Sequence, residues 1–76
     1  MPTLFRAFGL RFFFYSNEHA PIHVHVSNSD GEARFDINKL VWISNFGLKT
    51  KDLKLAESLI LENKDLIIKS WHHYFG

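Results

Sequence analysis

The sequence contains no cysteine, and it has only two prolines and four glycines among 76 residues. The absence of cysteine excludes a disulfide framework and any thiolate metal site, and it fits a reducing cytosol. No apolar run reaches the roughly 18 residues that a transmembrane helix needs, and Met1 to Arg6 lacks the pattern of a signal peptide. We therefore expect a cytoplasmic protein that does not enter a membrane.

The chain also has almost no excess of positive or negative charge, because its formal net charge is only +1 with the five histidines counted as neutral. Charge alone therefore gives no indication of the clustered basic surface that nucleic-acid binding favours. Aromatic residues, in contrast, make up 16% of the chain. A single domain, 1–76, has a small core, so we expect part of this aromatic surface to bind a protein partner, either a second copy or another chain.

The N-terminal half predicts two β-hairpins. Thr3 to Phe8 and Arg11 to Ser16 have strand composition, and Gly9-Leu10 between them suits a type II′ turn. This register places Thr3 and Phe5 on the core side of the first hairpin.

The second hairpin begins with the clearest alternation in the chain, Ile22 to Ser27. Asp30-Gly31 predicts a two-residue type I′ turn into a strand from Glu32 to Asn38. That register sets Ser27 opposite Arg34, His25 opposite Asp36 and His23 opposite Asn38. It leaves the apolar residues of both strands together on the other face.

The C-terminal half predicts helix. Lys39 to Ser44 fits either a fifth strand or a helical turn, and Thr50 is the predicted N-cap of the helical part. Asn63 either caps a second helix or lies inside one continuous helix to about Phe75. The fold class is therefore α+β, a small antiparallel sheet of three to five strands packed on one face by one or two C-terminal helices.

Two segments carry a family resemblance: Arg11-Phe12-Phe13-Phe14-Tyr15-Ser16-Asn17-Glu18 and Pro21-Ile22-His23-Val24-His25-Val26. With the closing Trp71-His72, they resemble the small prokaryotic proteins called domain of unknown function 4160 (DUF4160). The resemblance implies a small partner protein encoded nearby, in an arrangement similar to a toxin and antitoxin pair. The family pattern has a second proline where this chain has Ile22.

His23, His25 and Asp36 form the candidate site, because residues two apart on a strand project together and the carboxylate lies on the adjoining strand. Two imidazoles and a carboxylate suit a divalent metal such as Zn or Fe, with His72 or His73 as a further ligand. Without any cofactor, the two histidines and Asp36 could cleave RNA by acid–base catalysis while Arg34 or Arg11 neutralises the phosphate. The plainer interpretation is an ordinary polar face on the wet side of a sheet.

A second group, Arg6, Arg11, Phe13 and Tyr15, lies on the outward face of the first predicted hairpin. Basic and aromatic residues in alternation can contact RNA or DNA, but such strand faces more often form protein interfaces. We expect an interface, consistent with a homodimer.

The family resemblance, together with the histidine face, implies a component of a toxin–antitoxin-type module that acts through a partner protein, with a metal-independent ribonuclease toxin as its enzymatic form. The alternatives are a histidine-based metal-binding module and a non-enzymatic dimeric adaptor.

Overall fold

A five-stranded antiparallel sheet followed by two helices makes up the computed structural model, which describes residues 2–76. The strands lie in the sheet in chain order. They are β1 (Thr3–Ala7), β2 (Leu10–Phe13), β3 (His23–Ser27), β4 (Glu32–Asp36) and β5 (Val41–Phe46), and the helices are α1 (Thr50–Glu62) and α2 (Lys64–Phe75). The α+β prediction is confirmed, with five strands and two helices.

One face of the sheet forms the hydrophobic core with both helices. The alternation of β3 turns Val24 and Val26 to this face, where Ile60 and Ile67 of the helices are fully buried with them. Phe14 packs edge to face on Trp71 at a centroid distance of 5.4 Å. The predicted core face of the second hairpin is therefore the face that the helices cover.

The first hairpin turns one residue earlier than predicted. Ala7 pairs with Leu10, so the central turn residues are Phe8 (φ 53°) and Gly9 (φ 78°), not Gly9 and Leu10. Both have positive φ, which is the type I′ geometry. An irregularity in β1 also pairs Thr3 with Phe13, so Thr3 lies on the outer face and not on the predicted core side.

The second hairpin has a four-residue loop, 28–31, where a two-residue turn was predicted. Ser27 pairs with Glu32, His25 with Arg34 and His23 with Asp36, so the predicted partners of all three were wrong by two residues. The cause lies in Asn28, whose side-chain oxygen accepts hydrogen bonds from the backbone N–H of Asp30 (2.8 Å) and Gly31 (3.2 Å). Such an Asx-type loop competes with a tight turn.

The structure resolves the two alternatives that the sequence left open, the state of residues 39–44 and the number of C-terminal helices. Most of 39–44 belongs to a fifth strand, entered through Leu40 in the left-handed region (φ 58°). Asn63 lies between two helices and is the C-cap of α1 and the N-cap of α2. The N-cap of α1 is Lys49, one residue before the predicted Thr50. Within residues 2–76, neither helix is long and apolar enough to cross a membrane.

Candidate metal centre

His23 and His25 point to the outer face of the sheet, yet both are buried, with 6% and 5% of their surface exposed. The prediction of a wet polar face was therefore wrong at this position. The segment between β2 and β3 explains it, since Tyr15 contacts the ring of His25 at a centroid distance of 4.5 Å and Glu18 contacts both histidines. The two rings themselves are 5.2 Å apart.

Glu18 brings a carboxylate to both imidazoles. Its Oε2 lies against Nε2 of His23, and Nε2 of His25 is 3.2 Å from each of the two carboxylate oxygens. The Glu18 side chain is only 9% exposed. Within the described part of the chain, these three residues form the group whose ligand atoms lie within 4.8 Å of one another.

His23 is oriented from behind by its own loop. Nδ1 of His23 lies 2.7 Å from the carbonyl oxygen of Pro21, and a carbonyl only accepts, so Nδ1 carries the hydrogen. Nε2 then faces Glu18 either with a lone pair or with a second hydrogen. A lone pair beside a buried carboxylate needs a cation between them, which is a proton or a metal ion.

His25 has a second carboxylate on its other side. Its Nδ1 is 3.6 Å from Oε2 of Glu32, and the Tyr15 hydroxyl donates to both oxygens of Glu32 at 2.8 and 3.0 Å. Burial is the main cause that lowers the pKa of His25 below 6.5, against the opposite effect of the Glu18 carboxylate. A neutral His25 is the form that binds a metal.

The spacing of His25 and Glu18 suits two ligands of one metal ion, and the third candidate ligand atom, on His23, lies within 4.8 Å of both. Two ligand atoms, each about 2.1 Å from a zinc ion, are roughly 3.0–3.4 Å apart at tetrahedral or octahedral angles, and the distance between Nε2 of His25 and Glu18 is 3.2 Å. In metal sites, a ligating histidine donates its other ring N–H to a second residue, and this hydrogen bond fixes the orientation of the ring. The hydrogen bond from Nδ1 of His23 to the carbonyl oxygen of Pro21 is of this kind. Two histidines and one carboxylate also leave coordination positions open.

Asp36, predicted as the third member of the site, has another role. It is buried beside His23 in the ladder, and its Oδ1 accepts hydrogen bonds from the backbone N–H of Asn38 and Lys39, both at 2.9 Å. Its carboxylate thus stabilises the turn into β5. His72 and His73 are exposed near the end of α2 and lie outside the group of three ligands.

Arg34, the predicted phosphate contact, pairs with His25 across the β3–β4 ladder. Both residues line an open depression of about 310 Å³, together with Glu32, Ala33, Ser44 and Phe46. The structure therefore places Arg34 beside His25 and not opposite Ser27 as the predicted register had it.

The predicted interface group is divided between surface and interior. Arg6 and Tyr15 are exposed, whereas Phe13 is only 1% exposed. Phe13 lies between the guanidinium of Arg11, 4.3 Å from its ring centroid, and the ring of His25 at 5.4 Å. Its side chain is therefore used within the chain and supports His25.

Glu18 is the residue of this group that sequence reasoning missed. It lies in a loop, where strand periodicity carries no information about direction. One signal was available: Glu18 is an acidic residue within the segment that resembles the family, only five positions before His23.

Comparison with known proteins gives one family. A family model described as "Domain of unknown function (DUF4160)" matches residues 9–72 of the chain, which include every residue of the candidate metal centre. Neither the curated proteins nor the solved structures contain a significant match.

Proposed function

Because the chain belongs to the DUF4160 family, whose description assigns no activity, we propose a function from the geometry of the site. The protein binds a divalent metal ion, Zn²⁺ or Fe²⁺, through Glu18, His23 and His25. The observation that carries the proposal is the convergence of both imidazoles on one buried carboxylate. When bound, the ion would polarise a small ligand or a water molecule at an open position.

Charge supports the same proposal. Glu18 and Glu32 bring two carboxylates to the neighbourhood of His25, whose neutral form burial favours. A buried carboxylate beside a neutral imidazole is costly without a compensating cation. A divalent ion at the three ligand atoms would neutralise this excess of negative charge.

The test is metal analysis of tag-free protein purified without chelator, followed by titration of metal-free protein with Zn²⁺. We expect stoichiometric metal in the wild type. Glu18→Gln and His23→Ala should each weaken metal binding by more than roughly tenfold, because loss of an outer-shell partner alone already costs about 10–100-fold in metal affinity.

Asp36→Asn is the matched control, because it changes a buried carboxylate paired with His23 in the ladder but outside the three ligands. It should retain the metal affinity of the wild type, with folding checked by circular dichroism. A wild type that holds no metal, or an Asp36→Asn protein as defective as Glu18→Gln, would contradict the proposal.

Metal-independent RNA cleavage is the second candidate, in a cytoplasmic toxin–antitoxin module with a small partner protein encoded nearby. The position of Arg34 opposite His25 favours it, because a guanidinium beside a general acid or base suits a phosphodiester. The metal is the stronger candidate, since in-line cleavage of RNA needs the base at the attacking oxygen and the acid at the leaving oxygen, on opposite sides of the phosphorus atom. Here both Nε2 atoms face Glu18.

Expression of the chain alone, with growth and cellular RNA as readouts, distinguishes this candidate. A ribonuclease toxin should arrest growth and cut RNA, and His25→Ala should abolish both effects while its partner protein suppresses them. Sedimentation of the chain with and without that partner tests the expected homodimer and the adaptor role together. Unimpaired growth on expression of the wild type would rule out a toxin.

A further inference from the structure

The geometry points to a second binding site beside the proposed metal centre: the open depression between β4 and β5 takes the oxyanion group of a small organic anion, a phosphate ester or a carboxylate, through Arg34. This inference rests on the proposed function only for the adjacency to the metal, and it names the class of substrate that the same site would act on.

Three polar side chains on neighbouring strands form a row across the outer face of the sheet, beside the depression. His25 of β3 pairs with Arg34 of β4, and Arg34 pairs with Ser44 of β5. Residues paired in this way project from the same side of the sheet, so the guanidinium lies between an imidazole and a hydroxyl. A ligand held by Arg34 would therefore lie next to a proposed metal ligand.

Arg34 is a donor without a partner. Across residues 2–76, its Nε is shielded from solvent and has no hydrogen-bond acceptor, and the guanidinium takes part in none of the salt bridges of this region. A buried polar atom of this kind is costly unless a ligand satisfies it. The planar fork of donors matches a carboxylate or phosphate, which accepts two parallel hydrogen bonds.

The carboxylate that lines the same depression forms no salt bridge with Arg34. Glu32 also lines the depression, but it accepts the hydroxyl of Tyr15 at both oxygens and faces Nδ1 of His25. Its negative charge opposes an incoming anion, and the charge of Arg34 offsets it. A divalent ion on His25 would add further positive charge, so metal-loaded protein should bind the anion more tightly than metal-free protein.

The depression also has an apolar wall that selects the body of the ligand. Phe46 provides it, because this residue is 76% exposed, whereas the Ala33 side chain belongs to the buried core. An exposed aromatic ring beside a charged anchor is typical of a site for an anion that carries an apolar group.

Phenyl phosphate and benzoate test the inference, because they share a ring and differ in the anionic group. Their binding to metal-loaded protein is followed by the NMR signal of the Arg34 Nε–H and by calorimetry. We expect saturable binding of at least one probe, with a shift of that signal. Arg34→Gln should weaken binding at least tenfold. Arg34→Lys keeps the positive charge but lacks the planar pair of N–H donors, so its affinity should lie between those of the wild type and of Arg34→Gln.

Arg6→Gln is the matched control, since Arg6 is an exposed arginine on the first hairpin away from the depression. It should bind as the wild type does. Tighter binding of phenyl phosphate assigns the site to phosphate esters, and tighter binding of benzoate assigns it to carboxylates. Binding of neither probe, or equal losses in Arg34→Gln and Arg6→Gln, overturns the inference.

The two proposals fail separately, because metal content is measured on the same samples. Protein that holds metal but shows no binding dependent on Arg34 overturns the anion site alone. Protein that holds no metal yet binds a probe through Arg34 overturns the metal centre and keeps the anion site.

Discussion

Nε2 of His25 lies 3.2 Å from both carboxylate oxygens of Glu18, although the two residues come from a strand and from the loop that precedes it. The contact closes the loop onto the outer face of the sheet and buries the His25 ring. A position that alternation assigns to solvent is thereby converted into an enclosed site with two imidazoles and one carboxylate.

The stability of metal-free protein should fall as the pH falls below the usual histidine range. Burial lowers the pKa of His25 below 6.5, so the unfolded chain binds a proton more readily than the folded one. The contribution of the neutral ring is present above pH 6.5 and is lost as the pH falls through the pKa of the folded state. Urea unfolding at a series of pH values measures this slope.

His25→Gln should reduce that pH dependence, because glutamine does not titrate. The exposed His19 provides the matched variant, and His19→Gln should retain the slope of the wild type. Equal slopes in His25→Gln and in the wild type would contradict this account of the buried ring.

The phenol of Tyr15 should ionise at higher pH than a free tyrosine. Its hydrogen bond to Glu32 is the main cause that raises the pKa of Tyr15 above 10.0. The folded-state pKa exceeds the unfolded value, so the bond stabilises the fold below pH 10 and the effect is lost as the pH rises through the folded pKa. The ultraviolet absorbance of the phenolate measures this, in a Tyr74→Phe background that leaves Tyr15 as the only tyrosine.

In the same background, Glu32→Gln should lower the pKa of Tyr15, because it removes the charged acceptor. An unchanged titration midpoint would show that the hydrogen bond does not form in solution.

Neighbouring residues of α1 should differ sharply in their contribution to stability. Ile60 is fully buried against the sheet, whereas Leu61 is 46% exposed. Ile60→Ala should cost about 2–5 kcal/mol of unfolding free energy through lost burial and the cavity it leaves, and Leu61→Ala should stay within about 0.5 kcal/mol. Chemical denaturation of both variants checks the difference, and similar losses would mean that the helix presents another face to the sheet.

Gly31 should tolerate no side chain, because the 28–31 loop packs directly on the end of β5. A Cβ at Gly31 would meet the carbonyl oxygen of Phe46 and lie 2.8 Å from Cα of Gly47. Gly9, in contrast, has open space around it among the described residues but a φ of +78°, so Gly9→Ala should cost only the left-handed strain of about 1–2 kcal/mol.

Thermal unfolding of both glycine variants compares the two effects. We expect Gly31→Ala to be the more destabilised protein, since backbone atoms cannot move aside as a flexible side chain can. A Gly31→Ala protein as stable as the wild type would show that the loop does not contact β5.

Most of the fold could be predicted from the sequence, because side-chain direction in a strand depends only on alternation. Both hairpins turn at other residues than predicted, yet the paired residue numbers sum to two less than predicted in each register, except at the irregularity that turns Thr3 to the outer face. A change of two preserves which face a residue occupies, so Val24 and Phe35 remained on the core side. The helical periodicity of the C-terminal half likewise depends on local spacing alone.

The fold class, the core face and the common direction of His23 and His25 therefore follow from local residue patterns alone. The contact of Glu18 with both imidazoles, the strand pairing of Arg34 with His25 and the burial of the histidines depend instead on tertiary contacts. Alternation assigns a face but gives no direction to a loop, and Glu18 reaches the imidazoles only because the chain between β2 and β3 folds back over the sheet. The register in turn depends on the Asn28 side chain, whose hydrogen bonds form only in the folded loop.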